Sequence, residues 1–293
     1  MEKILITGAT GNVGLATLKY LGEKHLPGIE LLAAVRDVER AHHDIGVGNC
    51  KFVPFEFDEP STYAAALEGV TKILLVRPHQ LSDVSKYIFP FLDEAVRCGV
   101  RHIAFLSVVG ADRNKLIPHS KIENYILNLG IDYTFVRPCF FMQNLTTIHR
   151  KEILENNKVY IPAGNTPVNY IDVRDVAEVM GRVLIEPGHE NKVYEITGSQ
   201  TMTYYELVGI LSSILDREIR YPRPSTLMFM RQKIREKKPL AFVKVMGLLY
   251  SGARNGKMNL VTDDFKKLTG REPIDFKTFA NEYKQKWIKQ EKK

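Results

Sequence analysis

Mostly apolar runs of four or five residues recur along the first half of the chain, at 3–7, 31–35, 52–55, 72–76, 102–106 and 133–136. Between them, residues 13–24, 61–67 and 82–97 carry helical patterns. Strands that are apolar throughout, rather than alternating, are covered on both faces, and strands separated by helices pair in parallel. The pattern therefore predicts an α/β fold, a Rossmann-type doubly wound parallel sheet with right-handed crossovers. The alternation breaks after about residue 144. Residues 168–172 and 192–197 still read as strands with a helix at 173–185 between them, and from 203 the chain is mostly helical, ending in 276–287. We expect residues 1–150 to form the Rossmann domain. Residues 151–293 are expected to form a smaller, mostly helical lobe whose elements return to the main sheet within one integrated domain.

Composition narrows the class. The chain has 293 residues, 44% hydrophobic and 26% charged, which excludes disordered, collagenous and disulfide-scaffold proteins. No apolar run approaches the roughly 18 residues of a spanning helix, so no integral membrane segment is expected. The strand-like run starting at Lys3 predicts no signal peptide, and a cytoplasmic protein is expected. Cys50, Cys98 and Cys139 show no paired spacing, which argues against a metal site and fits a reducing compartment. Charge is uneven: residues 217–293 hold 20 Lys/Arg against 8 Asp/Glu, whereas the rest of the chain is net acidic. A basic tail quarter fits nucleic acid, an anionic membrane, an acidic partner or merely a solvated surface. No helix-turn-helix, zinc or single-strand-binding module accompanies it, so no nucleic-acid partner is expected.

The first strand runs into Thr7-Gly8-Ala9-Thr10-Gly11-Asn12-Val13-Gly14, which opens the first helix. Gly8, Gly11 and Gly14 permit a tight turn, backbone approach to a pyrophosphate, and close packing of helix on strand. Thr10, Asn12 and Val13 complete a turn whose N–H groups and helix dipole favour an anion. This strand–turn–helix context points to dinucleotide binding. The second strand ends in Arg36-Asp37. Arg36 suits a ribose 2′-phosphate, so NADP(H) is the preferred cofactor; Asp37 next to it keeps NAD(H) open.

Further segments then follow in order: His119-Ser-Lys-Ile-Glu123, Tyr133-Thr-Phe-Val-Arg137-Pro138 with Asn144, Ile171-Asp172-Val-Arg174-Asp175-Val-Ala177, Tyr194-Glu-Ile-Thr-Gly198 and Leu268-Thr-Gly-Arg271-Glu-Pro273. Together with the glycine turn and the strand-end Val35-Arg36-Asp37, they make the chain resemble the NmrA-like atypical short-chain dehydrogenase/reductases, near the quinone, azo-dye and triphenylmethane reductases. That resemblance implies a Rossmann fold and NAD(P)H binding. It does not imply one reaction, because some members reduce substrates and others only sense the cofactor. By the same resemblance His119 and Glu123 lie beside the nicotinamide or substrate pocket, and they are the catalytic candidates. An unperturbed histidine titrates near neutrality and is suited to donating a proton. Ser120-x-x-Glu123 equally reads as a capping box, which would make Glu123 a helix-start device.

The Tyr-x-x-x-Lys pair of ordinary short-chain dehydrogenases occurs once, as Tyr20 and Lys24 on the first helix, where it serves packing or solvation. This argues against an alcohol dehydrogenase or a nucleotide-sugar epimerase. The ends of strands four to six should line the cofactor crevice, which nominates Arg77 with His79, Ser107, Arg137 and Pro138 for the cofactor. Phe140 and Phe141 are nominated as an apolar floor for a planar acceptor, against a plain core role. Asp172, Arg174 and Asp175 read as an ion pair or cap. The basic segment 227–250 reads as a helical cover with a solvated outer face, against a basic amphipathic helix on a membrane. The expected function is an NAD(P)H-dependent oxidoreductase that reduces a small planar quinone, azo or enone acceptor. The alternative is a non-catalytic NADP(H)-sensing regulator, and a homodimer is compatible with either.

Overall fold

The computed structural model describes residues 2–46, 48–78 and 80–289, without the side chains of 44 and 241. Its strands are β1 (Glu2–Ile6), β2 (Ile29–Val35), β3 (Cys50–Pro54), β4 (Lys72–Leu75), β5 (His102–Leu106), β6 (Asp132–Pro138), β7 (Phe140–Phe141), β8 (Val168–Ile171), β9 (Lys192–Ile196) and β10 (Thr201–Met202). The chain divides into two compact units, residues 1–138 with 173–196 and residues 139–172 with 197–293.

The first unit is a seven-stranded sheet in the order β3-β2-β1-β4-β5-β6-β9, every neighbour pair parallel. This is the Rossmann-type doubly wound fold. Burial on both faces is why the strands read as continuous apolar runs: Ile4, Leu5, Ile6, Ile73, Leu74 and Leu75 are all fully buried. The chain winds outward from β1 through β2 to β3, then returns to continue from β4 on the other side. Between β1 and β4, connections therefore leave in opposite directions, and a crevice opens at the strands' carboxyl ends. The first helix, α1 (Asn12–Gly22), packs on the helix Val173–Ile185. Contact is close at Gly181, where any Cβ would stand 2.4 Å from the Tyr20 ring. Lys24 lies over that same ring at 4.9 Å, which fixes Tyr20 and Lys24 in a packing role.

Two helices differ from the sequence pattern for local reasons. The stretch expected at 82–97 folds as Val84–Tyr87 and Phe89–Arg97, because Pro90 has no N–H to continue the ladder. The last helix ends at Glu282 and tightens into a 3₁₀ turn, Lys284–Trp287.

The second unit holds a small sheet, β10-β8-β7, with β8 antiparallel to β10 and parallel to β7. Its core gathers Leu145, Tyr204, Leu207, Phe276, Phe279 and Trp287, and Trp287 Nε1 donates to the Leu145 carbonyl at 2.9 Å. Asn169, fully buried, ties the sheet to its loops: it accepts from Cys139 Sγ and Gly198 N–H and donates to the Gly198 and Gln200 carbonyls. Burial pushes the Cys139 thiol up to about 12, so it acts as a buried hydrogen-bonding group and not as a thiolate. Among the described residues no helix is long and apolar enough to cross a membrane.

Candidate functional site

The crevice of the first unit begins at the end of β1. Thr7 Oγ1 donates to the Leu74 carbonyl at 3.0 Å and accepts the Val76 N–H at 2.8 Å, joining the ends of β1 and β4. Gly8 follows with φ +62°, a left-handed conformation that L side chains rarely adopt. Gly11 N–H donates back to the Gly8 carbonyl at 2.9 Å and closes the turn. Gly14 then brings α1 against that carbonyl so closely that a Cβ would stand 2.2 Å from Gly8 O. Thr10, Gly11 and Asn12 are exposed while Val13 is buried, so the turn's outer surface is open and its base is packed. Among the described residues no side chain caps α1, and no acidic residue lies in its first turn. The positive helix end therefore faces solvent with its dipole uncompensated. An open, glycine-lined cradle with free N–H groups fits the pyrophosphate of a dinucleotide.

At the end of β2, Arg36 and Asp37 separate cleanly. Asp37 is the N-cap of the helix Val38–Ile45, its carboxylate accepting the Arg40 N–H at 3.0 Å. Arg36 is exposed and makes no hydrogen bond or ion pair among the described residues. The carboxylate that kept two cofactors open is thus engaged locally, and the guanidinium beside it is free.

At the ends of β4 and β5 stand Arg77 and His119. Arg77 Nη1 donates to the Pro78 and Leu81 carbonyls, both at 2.9 Å, while its buried Nε–H has no partner among the described residues. Burial lowers its pKa to about 10. His119, on the helix Pro118–Leu127, stacks on Phe105 with ring centroids 6.0 Å apart. Loss of hydration, and secondarily the charge of Arg77, push its pKa down to about 3. The near-neutral titration of an unperturbed imidazole is therefore displaced, and His119 is neutral at physiological pH. His79 lies outside the described residues.

One turn further along that helix, Glu123 is buried and accepts three hydrogen bonds: Ser107 Oγ–H at 2.5 Å, Arg137 Nε–H at 2.9 Å and Arg137 Nη2–H at 2.6 Å. Asp112 stands 3.4 Å from Arg137 Nη1. The capping-box reading fails, because the helix starts at Pro118 with Ile117 as its N-cap, which places Glu123 well inside it. Ser107 and Arg137, nominated for the cofactor, are both joined to Glu123 in one network. Pro138 ends β6, where its carbonyl accepts the Val109 N–H at 3.1 Å. Phe140 and Phe141 belong to the second unit. Phe140 lies 6.0 Å from the Tyr170 ring and 5.8 Å from Tyr250. Asp172, fully buried, accepts from Gln143 Nε2 at 2.8 Å.

The second unit also contains a polar cluster with no sequence signal. His149, fully buried, meets Tyr250 Oη through Nε2 at 2.6 Å while its Nδ1 has no partner among the described residues. Burial, aided by the Lys233 charge, holds its pKa near 3. Lys233, almost wholly buried, pairs with Glu152 and Glu236. No short motif links these residues, since Lys233 and Glu152 are 81 positions apart.

Known proteins share this architecture. The chain is 31% identical over 281 residues to the NAD(P)H azoreductase of Xenophilus azovorans, covering 94% of this chain and 96% of that one. It is 29% identical over 284 residues to prestalk A differentiation protein A of Dictyostelium discoideum, covering 95% and 91%. The crystal structure of Citrobacter sp. triphenylmethane reductase complexed with NADP(H) superposes with a TM-score of 0.81 at 26% identity, covering 94% of this chain and 98% of the other. Residues 1–254 match the NmrA-like family, and the chain belongs to that family.

Proposed function

We infer that the chain is an NAD(P)H-dependent oxidoreductase, with NADP(H) preferred over NAD(H), that reduces a small planar acceptor of the quinone, azo or enone type. The observation that carries this is the open glycine cradle at α1, with the unpaired Arg36 standing at the neighbouring strand end. The azoreductase and triphenylmethane reductase relatives support reduction of conjugated acceptors. The bound cofactor would supply the hydride, and the protein binds, orients and shields. Gly8, Gly11 and Gly14 with Thr10, Asn12 and Val13 would hold the pyrophosphate, and Arg36 the 2′-phosphate. Arg77 and neutral His119 offer N–H donors beside the ends of β4 and β5. Phe140 and Phe141 are proposed to contact the acceptor. A planar acceptor that delocalises incoming charge needs no strong acid, so the missing tyrosine–lysine pair is tolerable. Cytoplasmic residence and a homodimer belong to the same proposal.

Anaerobic oxidation of NADPH against a panel of quinones and azo dyes tests the reading. Turnover of at least one class is expected. Tight NADPH binding without turnover on any of them would instead favour a cofactor-sensing regulator, for which the missing catalytic pair and the differentiation-protein relative speak.

Two further results are expected. Replacing Arg36 by Ala should raise the KM for NADPH about tenfold and leave that for NADH unchanged, the cost of one exposed charge-assisted contact; equal effects on both cofactors would remove Arg36 from the 2′-phosphate. The pH profile of kcat should show no limb near 6.5, because His119 keeps its neutral form from alkaline pH down towards about 3. A limb at 6–7 that disappears in His119→Asn would contradict the neutral-donor role.

A further inference from the structure

The helices Thr226–Arg235 and Leu240–Arg254 in the second unit form a packed pair. Gly247 lets them approach, since a Cβ there would stand 3.2 Å from Met230 Sδ. Their inner faces are anchored: Phe229, Met246 and Tyr250 join the unit's core, and Lys233 is buried in its pairing with Glu152 and Glu236. The outer faces are different. Leu227, Met228, Ile234, Leu240, Val245 and Leu248 are each more than half exposed, and they are six of the twelve large apolar side chains exposed among the described residues. Single exposed apolar residues are ordinary, but here half of them fall within 22 positions, on one pair of packed helices. Arg231, Arg235 and Lys244 on these helices and Lys237 and Lys238 in the turn between them are exposed as well, while Glu236 is the sole acidic residue from 226 to 254.

We propose that this helix pair docks the protein peripherally on an anionic phospholipid bilayer. Apolar side chains interspersed with lysine and arginine and almost without acid match the boundary between acyl chains and negatively charged headgroups. Long basic side chains reach the headgroups while their stems and the neighbouring leucines rest on the apolar layer. A second protein surface would need acidic partners placed around each leucine; a fluid anionic leaflet supplies both chemistries everywhere along its plane. The face is also preformed. Its inner side is fixed by the core and the Lys233 pairing, so docking orders no segment. The inference does not depend on the reductase reading.

Flotation of the full chain with vesicles of phosphatidylcholine alone, or of phosphatidylcholine with phosphatidylserine, tests it. Binding is expected only to the anionic vesicles and should weaken as salt is raised. In Arg231→Ala/Arg235→Ala, affinity should fall about fivefold per arginine. In Val245→Ser/Leu248→Ser it should fall as well, with circular dichroism and cofactor binding unchanged in both. Absence of binding to anionic vesicles overturns the proposal. So does binding weakened by the arginine variant alone, which would be unspecific charge attraction. A dimer in sedimentation velocity that the Val245/Leu248 variant disperses, with vesicle binding untouched, would assign the face to a second copy. A raised acceptor KM in that variant with vesicle binding untouched would assign it to the reaction site.

Discussion

Replacing Gly14 by Ala should weaken NADPH binding tenfold to a hundredfold. The added methyl has nowhere to go: it would stand 2.2 Å from the Gly8 carbonyl oxygen and 2.7 Å from its carbon. Both are backbone atoms, so no side chain can rotate aside. Either α1 lifts from β1 or the turn 8–11 deforms, and each moves the N–H groups that the cradle presents. Overpacking of this kind costs about 1–3 kcal/mol, and each 1.4 kcal/mol that falls on the binding geometry is about tenfold in affinity. Fluorescence titration with NADPH and a thermal melt report the two parts separately. Gly209→Ala is the matched control, since a Cβ there meets nothing within 4 Å on the helix Tyr204–Leu215; it should leave binding intact and raise helix stability by at most about 1 kcal/mol. Unchanged NADPH affinity in a folded Gly14→Ala would remove the turn from cofactor binding.

The glycine turn was legible because its requirements are local. Three glycines at fixed spacing between an apolar run and a helix leave little else for the backbone to do, and β1 and α1 fold where the pattern puts them. The strands were legible for a related reason: a sheet buried on both faces needs unbroken apolar runs, and Ile73–Leu75 and Ile103–Phe105 have nowhere else to go. Other parts depend on distant partners. The pKa of His119 follows from its burial against Phe105 and the nearness of Arg77, 42 positions away in sequence. Lys233 looked like one more solvated charge in a basic stretch, and only the fold reveals its partner Glu152. Glu123 had a local signal that was misleading. Ser120-x-x-Glu123 fits a capping box, yet the proline at 118, favoured at a first helical position, marks the helix start three residues before the one that box would give.

Glu123→Ala should lower stability by about 3–5 kcal/mol, because it removes one side of a buried charged network and leaves the other side in place. Arg137, with 11% of its side chain exposed, would keep Asp112 at 3.4 Å and the weaker influence of the Glu195 charge, and buried Ser107 would lose its acceptor. The loss comes mainly from stranded groups and less from the net worth of the pair. The double variant Glu123→Leu/Arg137→Met should therefore recover most of it, since apolar side chains of similar volume satisfy the same space without desolvated charge. Urea unfolding of the wild type, Glu123→Leu, Arg137→Met and the double variant closes a cycle that measures the coupling between the two sites. The same variants decide what Arg137 does. If its guanidinium serves only to fix the helix carrying His119 against the ends of β5 and β6, the double variant regains both stability and NADPH affinity. If Arg137 also contacts the cofactor, stability returns while affinity stays low. A Glu123→Ala protein as stable as the wild type would mean that water reaches the network and screens it, contrary to its burial.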